Sequence, residues 1–577
     1  MAFNYTPSEY QKKIFEFFEK GVGNVVINAK AGSSKTTTAI GALDYIPEYK
    51  SVLFLAFNRS IAAELKNRIG LKGNVTAWTF HGLGYRILME NFGHSFELEP
   101  FKYRNYLRQN LAELSNGVTL DLPFDERERY RKTCEDLIDL ARYNKCQSTK
   151  EVEEAAEKYG IVLDESVPEV VIKVLTWGKE HLETIDYTDM EWLPYELNLS
   201  TRRYKYDWII IDEAQDTSPV RQELFRKCLK KGTRFAAIGD KDQTINAWCG
   251  SDVSAFDNFL RESDTIQLDL PICYRCPKKV IELLQTLVPD IQAAPWAIEG
   301  EVNYDVSLYK VAPGDMVLCR TAAPLSVAYS DLIKKNVKAY IKGNDIGAGL
   351  VSLIKSTGVD TVASNFECDG IMPRLYKSLL KTLRKLMQTN SIQLEDAINT
   401  EKFMKLYDSI KTIEILGNGT TDASYLKDRI SKIFSDEEQE GVCLSTVHKA
   451  KGLEADNIFI LCPSLMPSPL ARLSWEIEAE QNIQYVAWSR PKKSLNFVSE
   501  KYFPVERCYA DANSITTEIV NINKKLTELY HKDYLGDLEV NVPKETKRTV
   551  RKTGDTHAMK QTKKLKIGGN RFKSFMK

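Results

Sequence analysis

One stretch near the start of the chain, residues 25–38, constrains the fold more than any other. It is an apolar run, then a loop of small residues, then a helix-like segment that begins Lys35-Thr36-Thr37. A buried strand, a loop and a helix in this order form a cradle for phosphate, because backbone N–H groups and the helix N-terminus face an anion. In such a cradle Lys35 can reach the β- and γ-phosphates, and the Thr36 hydroxyl can bind Mg²⁺.

The loop departs from the full phosphate-loop pattern. That pattern has glycine at positions 29 and 34, where this chain has Ala29 and Ser34. Taken alone, the stretch fits an ordinary strand–turn–helix as well as it fits a nucleotide site. The rest of the chain must distinguish the two.

Further apolar runs have the length of buried strands, at residues 51–58, 75–79, 206–211 and 235–238. A helix predicted at residues 59–69 separates the first two of these runs, and the run at 75–79 ends in a polar-aromatic turn at residues 80–82. The alternation of strands and helices predicts a parallel β-sheet with ligands at the carboxyl ends of its strands.

Two of these runs end in polar groups suited to phosphate chemistry. The third run ends in Asp212-Glu213, which places two carboxylates where Mg²⁺ on a phosphate loop would lie. One carboxylate can hold the metal, and the other can orient and deprotonate a water for in-line attack. The last run ends in a turn whose Gln243 could touch a γ-phosphate.

The strand pattern stops between about residues 95 and 200, where helical periodicity takes over. Segments 127–142 and 169–182 are two predicted helices. Ser148 and Glu151 form a capping box that starts a third, and Gly160 ends it. We therefore predict a helical insertion between strands of the sheet.

Three other features have both a functional and an ordinary interpretation. The amide of Gln11 could read adenine, or it could face solvent. Trp248 lies in a polar, glycine-containing segment typical of a platform that stacks on bases, but it could equally be a partly buried core residue. Cys273 and Cys276 form a lone CxxC, which without a second pair is a weak indication of a metal site.

The formal net charge of the chain is zero, but the charge is unevenly distributed. Residues 544–577 hold 12 Lys and Arg against two acidic residues, a net charge of +10, so residues 1–543 carry −10. This basic tail suggests contact with nucleic acid or an acidic partner; a solvated tail without a ligand is the alternative.

Cysteine usage and hydropathy indicate the compartment. The 11 cysteines have no framework spacing, which favours free thiols in a reducing cytoplasm. Residues 1–11 have no apolar signal-peptide core, and no run approaches the ~18–20 apolar residues of a membrane span. We therefore expect a cytoplasmic protein that does not contact a membrane.

Taken in order, these segments resemble the motifs of superfamily 1 DNA helicases of the UvrD/Rep/PcrA type. The first half matches at Gln11, the phosphate loop, Phe57-Asn58, Thr79-Phe80-His81, residues 212–216 and Gly239-Asp240-x-x-Gln243. The second half matches at Tyr274-Arg275, residues 317–321, residues 445–454 and residues 484–490. The resemblance covers about residues 5–500, and so many motifs in the same order are not expected by chance.

The resemblance implies an α/β fold of two RecA-like, parallel-sheet P-loop NTPase domains with mostly helical insertions. The first core domain would be residues 1–95 and 200–272, with the insertion 96–199. The second would be residues 273–350 and 440–510, with a short helical insertion, 351–439, containing helices at 374–387 and 394–416. Residues 511–577 would be an appendage, with a helix at 518–538 and a basic, disordered tail from 544.

The resemblance also implies roles for individual residues. ATP would be bound by the phosphate loop, by two residues at the adenine and by one at the ribose. The loop residues are Ala29, Lys30, Ala31, Gly32, Ser33, Ser34, Lys35, Thr36 and Thr37; Gln11 and Tyr274 would contact adenine, and Glu454 would contact the ribose. Mg²⁺ would be held by Thr36 and Asp212. The catalytic residues would be Glu213 as the base, Lys35, Gln243 as γ-phosphate sensor, and Arg275 and Arg490 as arginine fingers. DNA would contact Phe57, Asn58, Phe80, His81, Trp248 and His448.

The implied activity is an ATP-dependent DNA helicase or translocase that moves 3′ to 5′ on single-stranded DNA, in replication, repair or recombination. Its partners would be single-stranded DNA, single-/double-strand junctions, and a replication or repair protein docked on the basic tail. The divergent loop suggests a bacterial or bacteriophage source.

This chain departs from the family pattern at four positions. Lys30 and Ser34 stand where the family loop has glycine, and Asn246 and Cys249 stand where its third motif has Tyr and Arg. If either loop position needs a positive φ, a Cβ there would weaken nucleotide binding. The alternative function is therefore an ATPase-deficient module that binds single-stranded DNA or recruits other proteins.

Overall fold

The computed structural model describes residues 6–56, 73–122, 124–159, 161, 163–245, 254–364, 366–390, 392–437, 440–469, 471, 474–509 and 512–535. Several sequence predictions lie outside the described residues, namely Phe57, Asn58, the helix at 59–69, Gly160, Asn246, Trp248, Cys249 and the tail 544–577.

Six described strands form a first, wholly parallel sheet in the order β3-β2-β6-β7-β1-β8. Their bounds are Asn24–Ala29 (β1), Val52–Ala56 (β2), Val75–Thr79 (β3), Trp208–Ile211 (β6), Arg234–Gly239 (β7) and Thr265–Leu270 (β8). The four predicted runs and the run before the loop are all strands here. Strands β4 and β5 belong to the insertion described below.

Helices cover both faces of this sheet, which explains why its central strands are apolar along their whole length. The described helices are Glu9–Lys20, Lys35–Ala42, Phe80–Phe92, Pro219–Arg226 and Ala255–Leu260. The first begins with a capping box between Ser8 and Gln11 and buries Phe18, which stacks on Trp208 at 4.7 Å between ring centroids. A polar turn was expected after β3, but the helix starts at once because the Thr79 side chain caps it.

The segment between β3 and β6 is helical, as predicted. Its helices are Lys102–Leu114, Phe124–Asn144, Thr149–Lys158, Val167–Glu180 and Asp189–Glu196. The predicted capping box between Ser148 and Glu151 is present. The expectation that strands stop here was wrong in one detail, since Glu97–Leu98 (β4) pairs in parallel with Thr184–Ile185 (β5).

A second parallel sheet follows, in the order β11-β16-β15-β12-β14-β13. Its strands are Glu301–Val306 (β11), Met316–Cys319 (β12), Ala339–Lys342 (β13), Val442–Thr446 (β14), Ala455–Ile460 (β15) and Pro491–Val498 (β16). Ile272–Cys273 (β9) and Gln292–Ala293 (β10) form a separate two-stranded pair. Helices Lys278–Leu284, Ala322–Lys334, Asn344–Ser356 and Ser474–Trp488 accompany these strands.

The segment between β13 and β14 is also helical. Its further helices are Ile371–Asn390, Leu394–Ala397, Glu401–Gly417 and Ala423–Ile433. The single helix predicted over 394–416 is thus two helices, because Thr400 caps a new start through the Phe403 N–H. The appendage helix runs Ala512–Tyr530, which is earlier than the predicted 518–538. The predicted domain boundaries stay predictions.

None of the described helices combines the length and apolar character required to cross a membrane.

Candidate nucleotide site and nucleic-acid interface

The phosphate loop connects the end of β1 at Ala29 to the helix that begins at Lys35. Two of its residues have left-handed backbone conformations, Gly32 with φ +67° and Ser34 with φ +62°. Of the two positions where glycine was expected from the family, only Ser34 has a positive φ; Lys30 does not. The predicted cost of a Cβ therefore applies to Ser34 alone.

The side chains at the carboxyl ends of β1 and β6 converge. Lys35 Nζ lies 3.1 Å from Glu213 Oε2, and Thr36 Oγ1 lies 3.4 Å from Asp212 Oδ2. The Gln215 amide also donates to Glu213 Oε2, at 2.6 Å. Parallel pairing in the order β2-β6-β7-β1 brings these strand ends to one edge of the sheet, as the sequence predicted.

The charges in this cluster perturb one another. Burial raises the pKa of Glu213, but the Lys35 and Lys451 ammonium groups outweigh burial and hold that pKa below its usual value. Burial and the neighbouring Glu213 charge raise the pKa of Asp212. Glu213 is therefore ionised at neutral pH and can accept a proton from water.

The Thr36 hydroxyl and the Asp212 carboxylate fit the site of a magnesium ion. Mg²⁺ prefers oxygen ligands, commonly one or two carboxylates together with substrate phosphates. Asp212 is buried and faces the Thr36 hydroxyl, so a cation bound between them would offset a buried negative charge.

Tyr485, from the helix that precedes β16, joins the phosphate loop to the turn after β7. Its hydroxyl accepts a hydrogen bond from the Ala31 N–H at 2.9 Å and lies 3.2 Å from Asp240 Oδ2. The Gln243 amide donates to the same Asp240 oxygen at 2.6 Å. The predicted γ-phosphate sensor is thus bonded, through Asp240 and Tyr485, to the loop that it would report on.

Lys451 makes a second connection between the two sheets. Its ammonium group lies 2.6 Å from Asp216 Oδ2 and 2.9 Å from the Gln243 carbonyl. Asp216 is buried at the end of the Asp212–Asp216 segment. Lys451 therefore links the segment after β14 to both carboxylate-bearing turns of the first sheet.

The two predicted arginine fingers lie together beside the loop. Arg275 donates to Glu454 Oε2 at 2.7 Å and to the Ser489 carbonyl at 3.2 Å. Arg490 is buried and donates to the Val486 and Leu453 carbonyls. Burial and the Arg275 charge lower the pKa of Arg490 to about 10. Both guanidinium groups are thus engaged with the second sheet.

The residues predicted to contact the base and ribose lie in different environments. Gln11 is buried, with its amide N–H₂ donating to Thr38 Oγ1 at 2.9 Å and its carbonyl oxygen accepting the Ser8 N–H. The Tyr274 ring stacks on Trp296 at 5.8 Å, and Trp296 is 70% exposed. Glu454 is paired with Arg275 and with Lys492.

The remaining loop residues differ in their surroundings. Ala31 is buried in a core otherwise composed mainly of residues 273–497, so the loop packs directly on the second sheet. Ser33 is buried, and its hydroxyl has no hydrogen-bond partner within the described residues. A Cβ on Gly32 would lie 2.7 Å from Cys273 Sγ. Thr37 is half-buried.

Three predicted DNA-binding residues are described. His81 is 31% exposed, and its Nδ1 lies 3.0 Å from the buried Glu191 carboxylate. Phe80 is buried in the core of the first sheet, so its ring is not exposed for stacking on a base. His448 is half-buried, and burial together with nearby cations lowers its pKa to about 3.

Sequence reasoning did not assign roles to Tyr485, Lys451, Asp240 or Trp296. The first three lie within the quoted motif segments, so their position was visible but their partners were not. No sequence signal distinguishes Trp296 from other surface aromatics.

Comparison with known proteins supports the motif reading. Residues 9–264 match the UvrD/REP helicase N-terminal domain. This N-terminal part of the chain is therefore similar to helicases of the UvrD/REP type. A probable DNA helicase II homolog of Mycoplasma pneumoniae is 21% identical, covering 93% of this chain and 92% of the relative. The putative ATP-dependent DNA helicase YjcD of Bacillus subtilis is 23% identical, covering 82% of this chain and 76% of its own length.

Other relatives are matched over a smaller share of their length. The ATP-dependent DNA helicase PcrA of Leuconostoc citreum is 23% identical, over 46% of this chain and 37% of the relative. The match to the ATP-dependent DNA helicase Rep of Buchnera aphidicola covers 43% of that protein. The chain thus spans less than half the length of these two relatives.

Proposed function

We propose that the chain is an ATP-dependent DNA helicase or translocase. The observation that carries the proposal is the convergence of Lys35, Thr36, Asp212 and Glu213 at one edge of the first sheet, facing groups from the second sheet. The names of the relatives, which are ATP-dependent DNA helicases, support the same activity.

In this proposal the loop N–H groups and Lys35 bind the phosphates of ATP. Thr36 and Asp212 would hold Mg²⁺, which neutralises phosphate charge when bound. The ionised Glu213 carboxylate, oriented by the Gln215 amide, takes a proton from the attacking water. Gln243 responds to the γ-phosphate through its bonds to Asp240.

Arg275 and Arg490 supply positive charge from the second sheet. Guanidinium groups that reach a transferring phosphoryl group are worth ~10³–10⁵ in rate in other NTPases. Because both are bonded to second-sheet groups here, their contact with phosphate requires exchange of those bonds for bonds to the nucleotide. The contacts between the two sheets then form when ATP binds and break after hydrolysis, and this cycle drives movement on DNA.

The DNA strand would cross the molecule near His81 and His448, with Phe57, Asn58 and Trp248 as further contacts. Stacking on aromatic groups suits binding without sequence preference, at about 1–3 kcal/mol per base. Movement from 3′ to 5′ and a preference for single-/double-strand junctions follow from the family resemblance.

The test is steady-state ATP hydrolysis with and without single-stranded DNA at low salt. We expect strong stimulation by DNA in the wild type and none in Lys35→Ala or Glu213→Gln. Lys20→Ala and Glu19→Gln change an exposed pair on the first helix and serve as matched controls. DNA binding without ATP turnover would support the ATPase-deficient module instead, with the left-handed Ser34 as the physical reason.

The basic tail is a separate element of the proposal. We expect residues 544–577 to dock a replication or repair protein, or to strengthen DNA binding, through their net charge of +10. Removing 544–577 should weaken partner or DNA binding and leave DNA-independent ATPase unchanged; unchanged binding would contradict this role. We place the chain in the cytoplasm of a bacterial or phage-infected cell; the free thiols of the described cysteines fit a reducing compartment, and the divergent loop suggests the source.

A further inference from the structure

Lys30 replaces a glycine of the family loop, and its side chain is 2% exposed. A buried ammonium group is costly unless it is paired, so its partners determine what it does. Its Nζ lies 2.7 Å from Asp242 Oδ2 and 3.0 Å from Asp290 Oδ2. Burial lowers the pKa of Lys30, but the Asp240, Asp242 and Asp290 carboxylates outweigh burial and raise it, so the ammonium is charged.

The two carboxylates belong to different parts of the molecule. Asp242 lies in the turn after β7, directly before Gln243. Asp290 lies between the helix Lys278–Leu284 and β10, among residues such as Val288 and Ile291 that pack in the core of the second sheet.

The backbone of Lys30 is held as well. Its N–H donates to the Leu270 carbonyl at 3.0 Å, and its own carbonyl accepts the Ser33 N–H at 3.0 Å. The side chain therefore projects from a fixed point of the phosphate loop. One ammonium group ties that loop to the turn of the proposed γ-phosphate sensor and to the segment that follows Tyr274 and Arg275.

We propose that Lys30 is a positioning residue that couples the phosphate loop to the opening and closing of the nucleotide cleft. The Lys30–Asp290 arm joins the phosphate loop of the first sheet to the segment before β10, whose residues pack on the second sheet, and it stabilises the closed arrangement of the two sheets around a nucleotide. The Lys30–Asp242 arm holds the sensor turn against the loop. This inference rests on the proposed nucleotide site and goes beyond it, because it assigns a role to a residue at which the chain departs from its family.

The experiment measures release of a fluorescent ADP analogue from the full-length protein by stopped flow, which needs no ATP turnover. Asp290→Asn should speed release about fivefold, as expected for loss of one partly exposed ion pair. Asp290→Glu keeps the carboxylate and should release ADP at close to the wild-type rate. Lys30→Met keeps the stem length without the charge and should speed release at least as much as Asp290→Asn.

A double-variant cycle separates coupling from a general loss of structure. In the Lys30→Met background, Asp290→Asn should have no further effect on release, because its partner is already gone. The matched control is the neighbouring exposed pair Lys278–Glu299, at 2.9 Å, where Lys278→Met and Glu299→Gln should leave release unchanged.

Two results would overturn the inference. One is independent, additive effects of Lys30→Met and Asp290→Asn on ADP release. The other is wild-type release in both variants together with a lowered unfolding midpoint, which would make Lys30 a purely structural residue. The experiment also separates failure of this inference from failure of the proposed function. If the wild type binds ADP but does not hydrolyse ATP, the proposed function fails while the release rates still test the role of Lys30. If the wild type binds no ADP, both proposals are contradicted.

Discussion

The Tyr485 hydroxyl offers a direct test of how the second sheet supports the phosphate loop. Tyr485→Phe removes one oxygen atom from a side chain that is 1% exposed and leaves the ring in place. The Ala31 N–H loses its acceptor, and Asp240 loses one of its hydrogen bonds. An unpaired buried donor costs about 1–3 kcal/mol and a lost bond to a charged group about 1.5–3 kcal/mol, so we expect about 2.5–6 kcal/mol together.

The assay is hydrogen exchange of the peptide spanning residues 29–35, read by mass spectrometry. If the loop opens locally, about 2.5–6 kcal/mol corresponds to roughly 60- to 20,000-fold faster exchange of the Ala31 amide. Tyr304→Phe, which changes a partly exposed ring stacked on Phe497, is the matched control and should not alter this peptide. Unchanged exchange in Tyr485→Phe would refute the reasoning, since the Ala31 N–H would then not depend on the hydroxyl.

Three further predictions concern single residues. Ser34→Gly should raise the free energy of unfolding by about 0.5–1 kcal/mol, because a φ of +62° is unstrained for glycine but strained for serine. Urea unfolding measures this change, and a loss of stability would contradict the strain argument. Gly32→Ala should lower the urea concentration at the unfolding midpoint and abolish ADP binding. The added Cβ would lie 2.7 Å from Cys273 Sγ, and the backbone φ of +67° is strained for alanine. Normal ADP binding in a titration would contradict this packing. The pKa of His448 is lowered to about 3, below its ordinary value near 6.5, so protonation favours the unfolded chain and stability falls as pH decreases from 6.5 towards 3. His448→Gln should therefore lose less stability than the wild type over that range in urea unfolding, and parallel pH profiles would refute the assignment.

Much of the fold could be predicted because its signals are local. Strands buried on both faces are apolar along their length, so the runs that begin at residues 25, 51 and 206 were recognisable without knowing their neighbours. Capping boxes lie within four residues, and the one at Ser148 is where the sequence placed it. The break after Ala397 and the early end at Tyr530 were missed, because helical periodicity continues through both points.

Part of the candidate site was also predictable. Lys35, Asp212 and Glu213 follow apolar strands, and a parallel sheet brings the carboxyl ends of such strands to one edge whatever their order. The burial of Phe80 was not predictable, because an aromatic residue at a helix start can face either the core or solvent. Its environment is set by residues such as Leu224 and Phe225, far along the chain.

By itself the sequence determined the strand–loop–helix that begins at residue 25, the first parallel sheet and the identity of the groups at its edge. These features depend on neighbouring residues and on a general rule of sheet topology. Only the tertiary structure decided what Lys30 and Tyr485 do. From sequence Lys30 was a departure that threatened the loop; in the structure its φ is not positive and its charge is paired with Asp242 and Asp290. The physical reason is that ion pairs and hydrogen bonds act over a few ångströms in space, and these join residues more than 200 positions apart in the chain.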